Sequence, residues 1–293
     1  MRLNPFDTGN INVRSSGGGG FPGGGAGGLG CGTIIIAALG YFLFGLDPMQ
    51  TASTVSSVQQ GQQQSAPGST DEQAICTSGP YATEACNALQ SLNQTWAKTF
   101  QDQNFGERFQ QPTLDLYSGS VRTGCGSGSS SMGPFYCPND KTIYLDTSFY
   151  QELERMAGSG GDFARYYVIA HEYGHHIQNL TGVLGQVQSA QSQNPRAANQ
   201  LQVLVELQAD CYAGVWASNA VATGFLLEVS DDDLAVGLDT AAAVGDDRIQ
   251  QGTQGRTDPE SFTHGTSAQR QEWFMTGYRS GDPARCDTFS GGI

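Results

Sequence analysis

Residues 169–178 read IAHEYGHHIQ, and the H-E-x-x-H pattern in this stretch decides how the rest of the chain is interpreted. Residues four apart on a helix lie on one face, so the imidazoles of His171 and His175 can bind one metal ion. Glu172 follows His171 directly, which places a carboxylate where a water on that ion would lie. The spacing predicts a helix over residues 162–180 that carries a metal site.

A third metal ligand is expected on another element, and residues 205–210, VELQAD, contain a candidate. Glu206 stands between apolar residues, and an unpaired carboxylate is costly to bury there, so a cation is expected beside it. Asp210 follows one turn later on the same helical face, where it can accept a hydrogen bond from the non-ligating N–H of a ligand histidine. Both acids belong to a long helix predicted over residues 195–225.

The types of ligand favour zinc. Two imidazoles and a carboxylate suit Zn²⁺ better than Mg²⁺ or Ca²⁺, which take mostly oxygen ligands. A mononuclear iron site can use the same set, but the glutamate inside the motif favours zinc-dependent hydrolysis. We therefore predict Zn²⁺ bound by His171, His175 and Glu206, with Asp210 supporting a histidine and a fourth position open to water.

The composition limits the classes of partner. The chain has 293 residues, a formal net charge of −14 and a sequence pI of about 4.5. Nucleic-acid binding requires a basic surface that releases counterions, so no nucleic acid is expected as a partner. The length suffices for one large domain or two small ones. We interpret the acidity as a source of solubility rather than as a sign of a particular substrate.

The first seventy residues predict a membrane anchor. Residues 1–28 are rich in glycine and are expected to form a disordered cytoplasmic tail. Residues 29–46, LGCGTIIIAALGYFLFGL, are apolar, uncharged and long enough to span a bilayer, with a cleaved signal peptide as the alternative. Basic residues precede this run and none follows until Lys98, which predicts a bacterial inner-membrane protein with a periplasmic domain. Residues 47–70 read as a flexible linker, and residues 71–293 as the folded domain.

The cysteines point to an oxidising compartment. Two close pairs are flanked by Gly, Ser and Pro, which is typical of short disulfide loops in exported domains. For the third pair two interpretations stay open, a bridge or a buried free Cys211 within an apolar helix. The pairs in question are Cys76 with Cys86, Cys125 with Cys137, and Cys211 with Cys286.

The remaining patterns predict an α+β domain that is mostly helical. Strands are expected at residues 113–117 and 142–146, and residues 135–144 read as a β-hairpin. That hairpin can offer an edge to an extended peptide, or serve stability alone through the Cys125–Cys137 bridge. Further helices are expected after the acidic cap at Ser230 and after a capping box that begins at Thr266.

Several segments together resemble the bacterial family of neutral zinc metallopeptidases. They read GPFYCPNDKTIYLD, HEYGHHIQ, ELQADCYAGVWA, GDDRIQQ and SFTHGTSAQR. The resemblance implies a zincin-like fold and a membrane-anchored peptidase. The ELQAD segment is also similar to the E-x-x-x-D segment of thermolysin-like and prenyl-protein-processing zinc proteases. That similarity implies that Glu206 is the third ligand and that Asp210 supports a histidine, and the prenyl-protein type directs attention to His264 and Arg270.

The expected reaction is hydrolysis of a peptide bond in a polypeptide substrate. A zinc-bound water would attack the carbonyl, with Glu172 as general base. His264 is the candidate for stabilising the oxyanion, unless it is a solvated loop histidine, in which case Tyr173 or Tyr212 could serve. Asp246 and its neighbour are expected to be solvated helix-end carboxylates rather than ligands of a second ion. The alternative functions are a non-catalytic zinc-binding scaffold or assembly factor of the cell envelope, and a disulfide-stapled binding module without metal.

Overall fold

The computed structural model describes residues 11–16, 71–151, 153, 162–222, 224 and 228–290 of the chain. Helices dominate the described residues, and two small sheets accompany them. The strands are β1 (Asn12–Ser16), β2 (Thr113–Tyr117), β3 (Ser120–Thr123), β4 (Gly126–Ser129), β5 (Phe135–Cys137) and β6 (Thr142–Asp146). The helices are α1 (Glu72–Cys76), α2 (Pro80–Asp102), α3 (Asp162–Thr181), α4 (Val183–Gln193), α5 (Ala198–Asn219), α6 (Asp231–Ala243), α7 (Asp246–Gln254) and α8 (Ser267–Ser280).

The larger sheet has the strand order β1-β2-β6-β5. Strand β2 pairs in parallel with both β1 and β6, while β5 and β6 form an antiparallel hairpin. The predicted strands at 113–117 and 142–146 and the predicted hairpin are therefore confirmed. Strands β3 and β4 form a separate antiparallel pair beside this hairpin. The resulting architecture confirms the predicted mostly helical α+β class.

Strand β1 corrects the prediction of a disordered tail for residues 12–16. These residues pair in register with β2, and Val13 is buried. A five-residue strand next to a glycine-rich stretch shows no long apolar alternation, so the local pattern did not reveal it. The rest of the predicted tail, the apolar run 29–46 and the linker 47–70 lie outside the described residues. None of the helices that the structure describes is both long and apolar enough to cross a membrane.

Helix α3 carries the H-E-x-x-H motif and is enclosed on all sides. Every residue from Phe163 to Gln178 is buried, so other parts of the domain cover the helix around its whole circumference. The helix ends before Gly182, whose φ of 84° is the left-handed conformation that glycine adopts most readily. Helix α5 begins at Ala198, after a short 3₁₀ turn at Pro195–Ala197, so it is shorter than the predicted 195–225.

Small residues bring α5 against both of its neighbours. A Cβ added to Gly174 of α3 would lie 2.9 Å from the Cα of Ala209 in α5, closer than real Cβ contacts allow. A Cβ on Gly277 of α8 would lie 1.9 Å from the carbonyl oxygen of Cys211. Because α3 and α5 touch at backbone distance, acids on α5 lie within reach of the histidines on α3.

Three disulfides tie the elements together. The two predicted bridges, Cys76–Cys86 and Cys125–Cys137, are both present. Cys211 and Cys286, for which the sequence left two interpretations open, also form a bridge. The Cα–Cα distances in the three bridges are 5.8, 5.8 and 5.6 Å. Disulfides persist mainly in oxidising compartments, so the bridges indicate an extracytoplasmic location.

Candidate metal centre

The structure brings the three predicted ligands together. The ligand atoms of His171, His175 and Glu206 all lie within 4.8 Å of one another, and all three residues are buried. Glu206 Oε2 lies 3.1 Å from His171 Nε2 and 3.6 Å from His175 Nε2. Zinc bonds of about 2.0–2.2 Å at tetrahedral angles separate neighbouring ligand atoms by roughly 3.3 Å. The donor set and its spacing therefore fit zinc.

Asp210 fixes the orientation of the first histidine. Its Oδ1 lies 2.8 Å from His171 Nδ1, so that the opposite nitrogen, Nε2, faces Glu206. Arg270 donates to both carboxylate oxygens of Asp210, and the Tyr167 hydroxyl donates to Oδ1. Burial alone would raise the pKa of Asp210, but the Arg270 and His171 charges outweigh it and lower the pKa. The same carboxylate raises the pKa of His171 to about 10 against the opposing effect of burial.

Gln178 fixes the second histidine, and the sequence analysis did not identify it. Its Oε1 lies 2.9 Å from His175 Nδ1. Its amide nitrogen donates to the Val205 carbonyl at 2.7 Å and to Gln208 Oε1 at 3.1 Å. These two donations place the amide oxygen toward the imidazole. The available signal was the position of Gln178 three residues after His175, which puts both on one helical face.

Glu206 is 2 % exposed, as expected for a carboxylate that accompanies a cation. Gln202 donates to its Oε1 at 2.9 Å, which leaves Oε2 toward the histidines. Burial alone would raise the pKa of Glu206, but His175 and His171 lower it well below its ordinary value. The carboxylate is therefore ionised and available to a metal at neutral pH.

Glu172 lines the cleft beside these three residues. It is buried, and burial raises the pKa of its carboxyl group despite the lowering effect of His175 and His171. The cleft encloses about 750 Å³, including its open mouth. Its apolar walls come from the segment after β6, from α3, from the α6–α7 connection and from α7, through Phe149, Val168, Val244 and Ile249 respectively.

His264 also lines this cleft and is buried, so it is not a solvated loop histidine. Behind it stands Asp246, which is fully buried and 3.2 Å from His264 Nδ1. The other oxygen of Asp246 accepts the backbone N–H groups of Thr263, His264 and Gly265 at 2.7, 2.6 and 3.0 Å. The prediction that Asp246 is solvated is wrong, because the loop before α8 folds over the start of α7 and uses its carboxylate.

The remaining candidates lie away from the cleft. The Tyr173 hydroxyl donates to Asn93, and Tyr212 packs edge-on against Trp96, so neither replaces His264. His176 is fully buried, and burial lowers its pKa to about 4. Tyrosines that do line the cleft are Tyr136 and Tyr167.

Comparison with known proteins agrees with this geometry. Residues 4–289 match the family model described as "Putative neutral zinc metallopeptidase". The chain belongs to this family. It is 46 % identical over 261 residues to protein YpfJ of Escherichia coli strain K12, a match that covers 89 % of this chain and 86 % of YpfJ.

The chain is also similar to mycobacterial proteins, over a shorter stretch. The chain is 57 % identical over 190 residues to protein Mb2605 of Mycobacterium bovis and to protein Rv2575 of Mycobacterium tuberculosis H37Rv. These matches cover 62 % of the chain and 64 % of each relative. No solved structure matches the chain. Family membership and the buried His-His-Glu group together imply zinc as the metal.

Proposed function

We propose that the chain is a zinc-dependent peptidase that hydrolyses peptide bonds in polypeptides outside the cytoplasm. One observation carries the proposal: the buried group of His171, His175 and Glu206 shares a cleft with the carboxylate of Glu172. The family match supports the same reaction class. The three disulfides support the compartment.

His171 and His175 would bind zinc through Nε2, and Glu206 would bind it through Oε2. A zinc ion bound there supplies a Lewis acid that polarises the substrate carbonyl and lowers the pKa of water to about 7. Glu172 accepts the proton from the attacking water and then donates it to the leaving amine. Asp210 and Gln178 keep the imidazole rings oriented while this happens, because each contacts the Nδ1 atom of one histidine.

His264 is proposed to donate a hydrogen bond to the oxyanion that develops on the substrate carbonyl. Asp246 outweighs the effect of burial and raises the pKa of His264, which favours the protonated, donating imidazole. The three backbone hydrogen bonds to Asp246 fix the loop that presents this ring. His264 and Asp246 thus act as a pair, with Asp246 in a positioning role.

The substrate is proposed to be an extended peptide with a bulky apolar residue next to the bond that is cut. Strand β5 is an end strand of the described four-stranded sheet, and Gly133, Pro134 and Tyr136 near it line the cleft. An extended peptide can add to such an edge through main-chain hydrogen bonds. The apolar walls at Val168 and Ile249 favour an apolar side chain.

The test is turnover by the purified full chain, loaded with zinc, on a library of peptides derived from a bacterial proteome. Glu172→Gln should lower kcat by about 10²–10⁴-fold, the range for a general base, while one zinc per chain stays bound. Glu272→Gln, at an exposed site on α8, is the matched control and should cut at the wild-type rate. Equal cutting by Glu172→Gln would refute the mechanism. Absence of any turnover by the zinc-loaded wild type would favour the non-catalytic scaffold instead.

A further inference from the structure

Strand β1 is an edge strand of the larger sheet, and it is distant in sequence from its neighbour β2. Its five residues pair in parallel with β2, from Asn12 opposite Thr113 to Ser16 opposite Tyr117. Ile11 and Val13 are 3 % and 4 % exposed and join the main hydrophobic cluster of the domain. Burying such side chains removes apolar surface from water, which stabilises the folded state. The segment is therefore packed as part of the core and is not merely laid on the surface.

A buried charge depends on this strand. Asp115 of β2 is fully buried, and β1 donates to it three times. The donors are Arg14 Nε at 2.6 Å, the Ser16 backbone N–H at 3.0 Å and the Ser16 hydroxyl at 2.6 Å. Removing the partner of a buried charge is strongly destabilising, so β2 in this position requires β1.

The same strand is connected to the wall of the cleft. Arg14 Nη2 also donates to the Tyr144 hydroxyl at 2.8 Å. The Tyr144 ring stacks on Phe135, with 5.0 Å between ring centroids. The next residue, Tyr136, lines the cleft and its hydroxyl lies 2.9 Å from His176 Nδ1 on α3. Strand β1 thus stabilises the sheet edge that borders the candidate metal centre.

These contacts conflict with a chain that crosses a membrane once between β1 and α1. Such a chain would put Arg14 and Asp115 on opposite sides of the bilayer, where they could not share a hydrogen bond. We infer that residues 11–16 are an integral strand of the folded domain and lie on the same side of the membrane as residues 71–290. With the disulfides indicating an extracytoplasmic domain, the predicted cytoplasmic location of this segment is replaced by an extracytoplasmic one. The inference does not rest on the proposed peptidase activity.

A disulfide trap tests the pairing in the full chain, with Cys31→Ser as the background. Neighbouring strands lie about 4.8 Å apart, within the span of Cα–Cα distances that a disulfide accepts. Asn12→Cys with Thr113→Cys should therefore form an intramolecular bridge, detected by mass spectrometry of the linked peptides. In the control pair, Ser15→Cys with Thr113→Cys, the two positions are about 11 Å apart, from 3.3 Å per residue along the strand and 4.8 Å between strands, so no bridge should form. An unlinked Asn12–Thr113 pair in folded protein overturns the inference, and so does a linked dimer, which would assign β1 to a second copy.

Labelling in cells tests the side of the membrane and does not depend on the trap. Single cysteines replace Asn12 in β1 or Gln193 in α4, both exposed, and spheroplasts are treated with a membrane-impermeant maleimide. The two sites should react to the same extent before lysis, within about twofold. Labelling of position 193 before lysis with position 12 reacting only after lysis would place β1 across the membrane and overturn the inference.

Discussion

Two buried aspartates stand behind the cleft, and they are stabilised in different ways. Asp210 lies in the middle of α5, and its carboxylate is hydrogen-bonded to the side chains of Arg270, Tyr167 and His171. Asp246 lies at the start of α7, and its carboxylate accepts hydrogen bonds from backbone N–H groups of the loop that carries His264. Both are fully buried.

Because the two aspartates have different partners, we expect Asp210 to affect metal binding and Asp246 to affect turnover. Asp210 follows Glu206 by four residues on one helix, so it contacts a ligand and should control the affinity for zinc. Asp246 contacts none of the three candidate ligands in the described hydrogen bonds, and in the proposed mechanism it positions His264, which would face the substrate. Substituting it should change kcat while leaving zinc affinity unchanged.

The largest effect is expected for Asp210→Asn. The buried guanidinium of Arg270 would lose its charged partner, at a cost of about 3–5 kcal/mol in the free energy of unfolding. The orientation of His171 would also weaken, which should lower zinc affinity about 10–100-fold. Urea denaturation and zinc competition titration measure the two effects. The surface variant Asp231→Asn should change stability by less than about 0.5 kcal/mol. Wild-type zinc affinity in folded Asp210→Asn would contradict the assigned role.

Asp246→Asn should lower kcat about 10²-fold, as expected when a catalytic group is misplaced. Zinc content should stay at the wild-type level. His264→Gln should cause a similar loss, and the double variant should lose little more, because the two residues act as a unit. Steady-state kinetics on one peptide substrate measure all three. Losses that multiply in the double variant would show that Asp246 acts independently of His264.

Gln178→Ala should have a smaller effect, confined to the metal. The His175 ring would lose the acceptor at its Nδ1, so zinc affinity should fall about tenfold. Because the substitution leaves Asp210 and His171 in place, the free energy of unfolding of the metal-free protein should change less than in Asp210→Asn. Zinc titration measures the affinity. An unchanged affinity would show that helix α3 alone orients this histidine.

The smallest effect is expected in the pH dependence of the free energy of unfolding of Asp246→Asn. The pKa of Asp246 is lowered in the folded state, where burial would raise it but the His264 charge and the hydrogen bonds from His264 and Thr263 outweigh burial. Its contribution to stability is therefore present above the ordinary pKa of an aspartate, about 3.9, and is lost as pH falls through the lower, folded value. The stability gap between wild type and Asp246→Asn should narrow below about pH 4. Denaturant midpoints at neutral and acid pH measure it, and a constant gap would contradict the shifted pKa.

The comparison also shows what the sequence could predict. His171, His175, Glu206 and Asp210 follow from helical spacing, because residues four apart share a face whatever the tertiary structure. This prediction uses only a local rule.

The features that escaped prediction depend on contacts between distant segments. Asp246 meets His264 eighteen residues later in the chain, through a loop whose path no periodicity encodes. Strand β1 meets β2 about a hundred residues away, with Arg14 and Asp115 separated by 101 positions. Gln178 was visible in the motif, but its role depends on the Val205 carbonyl of another helix.

The most direct test of the central claim is the metal content of the purified full chain and of two variants. Wild type and Glu172→Gln should each bind one zinc ion per chain, because Glu172 is assigned to proton transfer and not to the metal. Glu206→Ala should lose the ion, since it removes the carboxylate that faces the Nε2 atoms of both imidazoles, at 3.1 and 3.6 Å. Atomic emission spectroscopy measures the stoichiometry. Full zinc occupancy in Glu206→Ala, or its loss in Glu172→Gln, would contradict the account.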